Sequence, residues 1–352
     1  MHALNPCRIA LAGAGLIGQA HLQALQSLPQ AVLAAIVDPS AKAKAQAEAL
    51  KVPHFDELAD LLESGLADGV VLATPNQLHY AQALQCLQAG IPALLEKPLT
   101  PTVAEGEALL AAQQRHPTPL LVGHHRAHSA IVQLAAQVVK SGTLGRLVAF
   151  QGSAAFYKPA QYFVDGAWRT QKGGGPITLN MIHEVHTMRT LMGEVRAVQA
   201  MAANAVRGFE VEDTVVINLE FVSGALGSFV LSDTAASPKS WEQTAQENKS
   251  YPSYADEDCY HLMGTLGSLS VPSMKLKTYS TTNAERGWWT AFDESVVSLT
   301  RTDPILAQMQ HFIAVVTKQA EPLVTLADGL ANVRVTEAIA QAVQSRTAVL
   351  LA

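Results

Sequence analysis

The chain runs to 352 residues, 49% hydrophobic and 15% charged, with a formal net charge of -6. That length exceeds one ordinary domain and can fill two cores, and the negative balance argues against nucleic acid or an anionic membrane surface as a partner. Three scattered cysteines (Cys7, Cys86 and Cys259) suggest neither a disulfide framework nor a zinc site, and neither a membrane span nor a secretory signal is evident, so a soluble cytoplasmic protein is expected.

In chain order, Arg8 to Ala12 is a short apolar run ending in glycines and reads as a buried strand. Ala20 to Leu28 has helical spacing, with Leu22, Leu25 and Leu28 on one face. Val32 to Val37 is a second strand, and Ser40 to Leu50, rich in alanine and lysine, a second helix. Asp56 is placed to cap a helix over Glu57 to Glu63, which Gly65 ends. Strands at 70–73, 92–95 and 120–122 alternate with helices at 77–89 and 103–114. Such alternation predicts a parallel sheet covered on both faces.

The pattern changes after about Gly123. A helix (Ile131 to Lys140) is followed by a long strand (Leu147 to Phe156) and a helical stretch (Ile182 to Met192). Extended runs follow at 195–203, 214–221, 224–231 and 268–271. The direct turn at Ser223-Gly224 predicts antiparallel pairing. Asp303-Pro304 starts a helix to Lys318, and a last helix covers Leu326 to Ser345. The stretch from Ser237 to Tyr260 lacks a period and reads as a functional or interface loop. The expected division is a domain over 1–122 and another over 123–352.

Gly13-Ala14-Gly15-Leu16-Ile17-Gly18 sits between the first strand and its helix, the context that a dinucleotide fingerprint requires. Gly13 permits the tight turn, Gly15 lets backbone approach a pyrophosphate, and Gly18 lets helix pack on strand. The pyrophosphate then meets free N–H groups at the positive end of the helix dipole. Asp38, twenty residues after Gly18 at the end of the second strand, can accept hydrogen bonds from ribose hydroxyls. The same charge repels a 2′-phosphate, so NAD(H) is expected rather than NADP(H).

Two further clusters follow strands of the parallel sheet, at the ends that line a ligand crevice. One is Thr74-Pro75-Asn76 with His79; the other is Glu96-Lys97-Pro98, whose lysine would point toward the nicotinamide. Together with the glycine motif, with Trp168-Arg169 and with Gly173-Gly174-Gly175 followed by His183, they resemble the Gfo/Idh/MocA family of sugar and cyclitol dehydrogenases. The resemblance covers nearly the whole chain. It implies an N-terminal Rossmann domain, with Thr74, Pro75, Asn76, His79, Glu96 and Lys97 beside NAD, followed by an α/β domain with a large, mainly antiparallel open sheet. It also implies that Lys97 and His183 flank the substrate carbonyl or hydroxyl. Alcohol oxidation needs such a pair: an imidazole titrating near neutrality takes the proton, and an ammonium stabilises charge on the oxygen.

This chain departs from the family pattern at three points. Leu179 replaces the aspartate four residues before the histidine, with Asn180 next to it. His186 replaces the aspartate three residues after it, and Arg126-Ala127 keeps only the first residue of a double arginine. A subfamily with its own pocket is implied, with Arg126, Tyr157, Lys158, Trp168, Arg169 and Asn180 against substrate. The spacing of His183 and His186 is not that of a zinc helix, and no metal is expected. The expected activity is an NAD-dependent dehydrogenase acting on a small polyol, sugar, cyclitol or related hydroxy acid. The alternatives are glycoside cleavage through transient oxidation, hydride shuttling by a tightly held cofactor, and non-catalytic NAD sensing. An open sheet with few helices to cover it predicts a homodimer or homotetramer.

Overall fold

The computed structural model describes residues 6–280 and 285–351. The first half alternates β1 (Cys7–Ala12), α1 (Leu16–Gln26), β2 (Ala31–Val37), α2 (Ala41–Leu50), β3 (His54–Phe55), α3 (Leu58–Ser64), β4 (Gly69–Leu72), α4 (His79–Ala89), β5 (Ala93–Glu96), α5 (Val103–Arg115) and β6 (Leu120–Gly123). There follow α6 (Ala130–Lys140), β7 (Leu147–Ala155), α7 (Ala160–Val164), α8 (Ile182–Met192), β8 (Val195–Ala203), β9 (Thr214–Phe221), β10 (Leu226–Ser232), α9 (Trp241–Thr244), β11 (Tyr260–Gly264), β12 (Gly267–Val271), β13 (Lys275–Thr278) and β14 (Asp293–Val296). The chain finishes with α10 (Pro304–Val316), α11 (Leu326–Ser345) and β15 (Val349–Leu350).

By packing, the chain forms two units, the first taking the described residues up to His128 together with Asp303–Val333. Its six strands are all parallel, in the order β3-β2-β1-β4-β5-β6. This is the doubly wound Rossmann order, whose ligand crevice opens at the carboxyl ends of the strands where the order reverses beside β1. Val70, Val71 and Leu72 are buried on both faces, as an unbroken apolar run requires. The returning segment completes this core: Gly69 on β4 leaves room for the Phe312 and Val316 side chains of α10. Asp303 caps α10 through its side chain, with Pro304 in the first turn.

The second unit, Ser129–Thr302 with the stretch from Arg334, holds a nine-stranded sheet in the order β14-β13-β12-β11-β7-β10-β9-β8-β15. Every neighbouring pair is antiparallel except β7 with β10. Val185, Met188 and Leu191 of α8 belong to one buried cluster with Val215, Ile217 and Phe229 of the sheet. Alternate residues face outward, so Val216 and Val230 are 45% and 41% exposed.

The differences from the sequence reading have local causes. The first helix starts at Leu16 rather than Ala20, which puts Gly18 inside its first turn. Asp56 does not cap α3; Glu57 holds that position without a side-chain bond. The β14 segment is a fully exposed edge strand starting Asp-Glu and so carries no alternation to read. Within 237–260 the structure places α9, with Trp241 buried and stacked on Tyr260 at 5.8 Å between ring centroids.

Candidate active site

The nucleotide loop turns sharply out of β1. A Cβ on Gly13, whose φ is +89°, would stand 2.4 Å from the Ala73 carbonyl oxygen, and one on Gly18 would stand 2.0 Å from that of Gly13. Neither position has room for another residue. A Cβ on Gly15 would meet nothing within 4 Å, and Leu16 beside it is 93% exposed. Gly15 starts α1 with no side-chain cap, so the first N–H groups of the helix remain available to an anion. Asp38 lies against this loop: its Oδ2 accepts from the Ala14 N–H at 2.9 Å and its Oδ1 from the Ser40 N–H at 2.9 Å. Burial pushes its carboxyl up, but these bonds outweigh it and hold the group below the usual carboxylate range. A carboxylate has about four lone-pair sites, so ribose hydroxyls still find acceptors. These residues fit a dinucleotide with a free 2′-hydroxyl.

The clusters after β4 and β5 are tied together by one imidazole. His79 is fully buried; its Nδ1 lies 2.7 Å from the Pro98 carbonyl oxygen and its Nε2 3.1 Å from that of Thr74. Two carbonyls favour the protonated ring, yet burial is the larger effect and moves its pKa down. His79 thus fixes the spacing of the two loops. Glu96 is buried against His21, 2.7 Å from its Nε2, and its other oxygen accepts the Lys97 N–H at 3.2 Å. Lys97 leaves β5 half-buried, with Pro75 and Asn76 on the neighbouring loop. Arg126 is buried beyond β6 in the same unit.

The other residues of the sequence reading stand in the second unit. Asn180 lies in a π-helical turn, Ile177–Met181, that runs directly into α8, where His183 is the second residue. Such wide turns are frequent at functional sites. Asn180 Oδ1 accepts from Lys158 Nζ at 2.7 Å. Lys158, 8% exposed, also lies 3.8 Å from Asp233, which accepts from Arg207 Nε at 2.7 Å. Burial, opposed by Asp233 and aided by Arg207 and Arg169, lowers the Lys158 pKa to about 8. Arg169 stacks over Tyr162 at 4.0 Å and lies 5.3 Å from the Trp168 ring, while Arg207 lies 5.4 Å from that of Tyr157. The triple glycine packs on Glu212: a Cβ on Gly175 would stand 2.5 Å from its carboxylate. Glu184 is buried and accepts from the Tyr260 hydroxyl, while His186 is buried one turn beyond His183.

His21, Arg207, Glu212 and Asp233 were not legible as site residues. His21 gave one signal, an imidazole on the apolar face that carries Leu22 and Leu25. Asp233 is a lone acid after the apolar β10. Among the described residues no three His, Cys, Asp or Glu side chains are arranged to hold a metal ion.

A sequence profile described as an oxidoreductase family with an NAD-binding Rossmann fold matches residues 7–124, and one for the GFO/IDH/MocA C-terminal domain matches residues 132–270. The rhizopine catabolism protein MocA of Rhizobium meliloti is 29% identical over 210 residues, covering 57% of this chain and 64% of that protein. Inositol 2-dehydrogenase of Leifsonia xyli subsp. xyli is 35% identical over 148 residues, covering 41% of this chain and 44% of that enzyme. The chain therefore spans from under half to just under two thirds of the length of these relatives. An oxidoreductase from Agrobacterium radiobacter, crystallised with NAD+, L-tartaric acid and magnesium, superposes with a TM-score of 0.82 at 20% identity over 98% of both chains. At that identity the likeness is one of fold.

Proposed function

Because the chain belongs to the Gfo/Idh/MocA oxidoreductase family, whose N-terminal domain is an NAD-binding Rossmann fold, we propose that it transfers a hydride between NAD(H) and a hydroxyl or carbonyl of a small polyol, sugar, cyclitol or related hydroxy acid. One observation carries this reading: the glycine loop, the His79 clamp and Lys97 follow β1, β4 and β5, three adjacent strands of one sheet. Named relatives that include an inositol dehydrogenase support the substrate class.

Bound NAD+ supplies the hydride acceptor. The first N–H groups of α1 hold its pyrophosphate and Asp38 its adenine ribose. His183 is assigned the alcohol proton, and Lys97 the hydrogen bond that stabilises negative charge on the substrate oxygen. Asn180, whose carbonyl oxygen is occupied by Lys158, keeps its amide N–H groups for a substrate hydroxyl. Arg126 in the first unit, and Tyr157, Trp168 and Arg169 in the second, are the further residues assigned to substrate binding.

Absorbance at 340 nm with a panel of inositols, sugars and hydroxy acids tests the reading. Turnover is expected with NAD+, and NADP+ is expected to be poorer by about tenfold or more because Asp38 repels the 2′-phosphate. Intact NAD binding with no turnover of any panel member would overturn the dehydrogenase reading. Product formed without NADH accumulating would instead indicate hydride shuttling.

We further propose a homodimer or homotetramer through the outer face of the nine-stranded sheet. Met201, Val216 and Val230 are register neighbours on adjacent strands and are 74%, 45% and 41% exposed, forming an apolar stripe. Val216→Asp is expected to release monomers in light scattering. A monomeric mass for the unaltered protein at working concentration removes the proposal. Three free, buried cysteines accord with a reducing cytoplasm.

A further inference from the structure

Among the described residues of the first unit, one deeply buried acid-base contact lies outside the groups assigned above to the reaction. His21, in the second turn of the helix that starts at the nucleotide loop, places Nε2 2.7 Å from Glu96 Oε1. The side chains are 1% and 6% exposed. Taking a carboxylate out of water is costly, and apolar residues of similar volume often hold two elements together as well as a buried acid-base pair does. Packing alone does not account for the pair.

The position of Glu96 suggests what it does. Its second oxygen accepts the backbone N–H of Lys97 at 3.2 Å. It is also held from the far side: a Cβ on Gly123 of β6 would stand 2.8 Å from Glu96 Cα and 3.0 Å from Cδ, so only glycine lets the strand pass. The carboxylate is therefore fixed in place, with the lysine as its chain neighbour. Four titratable groups act on it or with it: His21 from α1, His79 from the start of α4, Lys97 from its own strand exit, and His125 beyond β6.

We infer that His21 is a positioning residue for Lys97: by pairing with Glu96 it keeps a fixed negative charge and a backbone acceptor beside the lysine, tying α1 to the ammonium. This rests on the reading of Lys97 as a proton-handling group only for its catalytic consequence. Burial pushes the Glu96 carboxyl up, and the His21 bond outweighs it, so Glu96 stays ionised. Glu96 feels the positive charge of Lys97, and the same attraction must favour the charged form of the lysine. With His21 removed, an unpaired buried carboxylate takes up a proton, the negative charge vanishes, and Lys97 loses its proton at lower pH.

The test needs no substrate. Lysines of the full chain are reductively dimethylated with a 13C label, and the Lys97 resonance is assigned by its loss in Lys97→Arg. In His21→Leu and in Glu96→Gln the Lys97 titration midpoint is expected to fall by about one pH unit. In His21→Gln, whose amide N–H can still donate to Glu96, it is expected to return most of the way. Glu96→Gln leaves no buried charge unpaired, so it serves if His21→Leu fails to fold. A Lys97 midpoint unchanged in both variants overturns the inference and leaves the pair as packing. Turnover retained in Lys97→Met would overturn the proton-handling reading and leave the Lys97 shift standing, so the two failures are distinguishable.

Discussion

Replacing Lys97 by methionine is expected to lower kcat by about three orders of magnitude, with NADH affinity changed by no more than a few-fold. Methionine keeps the length and apolar stem of lysine and removes the charge. The residue follows the carboxyl end of β5, whose neighbour β4 leads into the loop that His79 ties to Pro98. Its contribution is proposed to fall on the reacting oxygen, where negative charge develops only during the reaction, so the loss belongs in kcat. His183→Gln is expected to cost about a hundredfold and to remove the limb of the pH profile that falls near neutrality. If both residues serve one oxygen, the double variant loses much less than the product of the two single losses. Fluorescence titration with NADH and steady-state rates on a substrate from the panel supply the numbers. A kcat within tenfold of the unaltered protein for Lys97→Met would remove the lysine from the chemistry.

Lys158→Met is expected to stabilise the fold near pH 7 while lowering turnover. Lys158 is almost wholly buried, and its pKa falls from 10.5 to about 8, chiefly through burial. Between those two values the unfolded chain holds a proton that the folded chain does not, so stability rises with pH across that window. Below it the full cost of a buried ammonium persists, on the order of 3 kcal/mol at about 1.4 kcal/mol per pH unit. Methionine removes this cost, and Asp233 keeps Arg207 as its partner. Part of the gain is lost because Asn180 gives up its donor. The diagnostic is the pH dependence: the advantage of the variant at pH 7 should shrink by about 2 kcal/mol by pH 10. Denaturant unfolding at several pH values measures it, and parallel stability curves would refute the account. A costly group retained beside Asn180 is the pattern expected when function is kept against stability.

The nucleotide half was legible because its signals are local. Gly13, Gly15, Gly18 and Asp38 lie within one strand-helix-strand segment, and apolar runs such as Val70-Val71-Leu72 mark the strands that both layers of helices cover. The helix Ile182–Met192 and the strands at 195–203 and 214–221 were also readable, from their periodicity. What escaped was long-range. The contact between His21 and Glu96 spans 75 positions, and the bond from Arg207 to Asp233 spans 26, across the turn between β9 and β10. No spacing rule links such residues. The parallel pairing of β7 with β10 escaped for the same reason, because a sheet built from hairpins gives no hint of one crossover.

The return of Asp303–Val333 to the first unit governs how the protein is made. The six parallel strands are all synthesised before Gly123 has been passed, yet Phe312 and Val316, which seat against Gly69, arrive much later. The 174 residues of Ser129–Thr302 lie between His128 and Asp303, and at roughly 5–20 residues per second they take the ribosome about 9 to 35 seconds. Throughout that interval the nascent sheet carries an apolar flank that its own chain has not yet supplied. A fragment ending after β6 is therefore expected to expose the apolar surface around Gly69 and to aggregate rather than bind nucleotide, and a soluble, NAD-binding fragment would refute this.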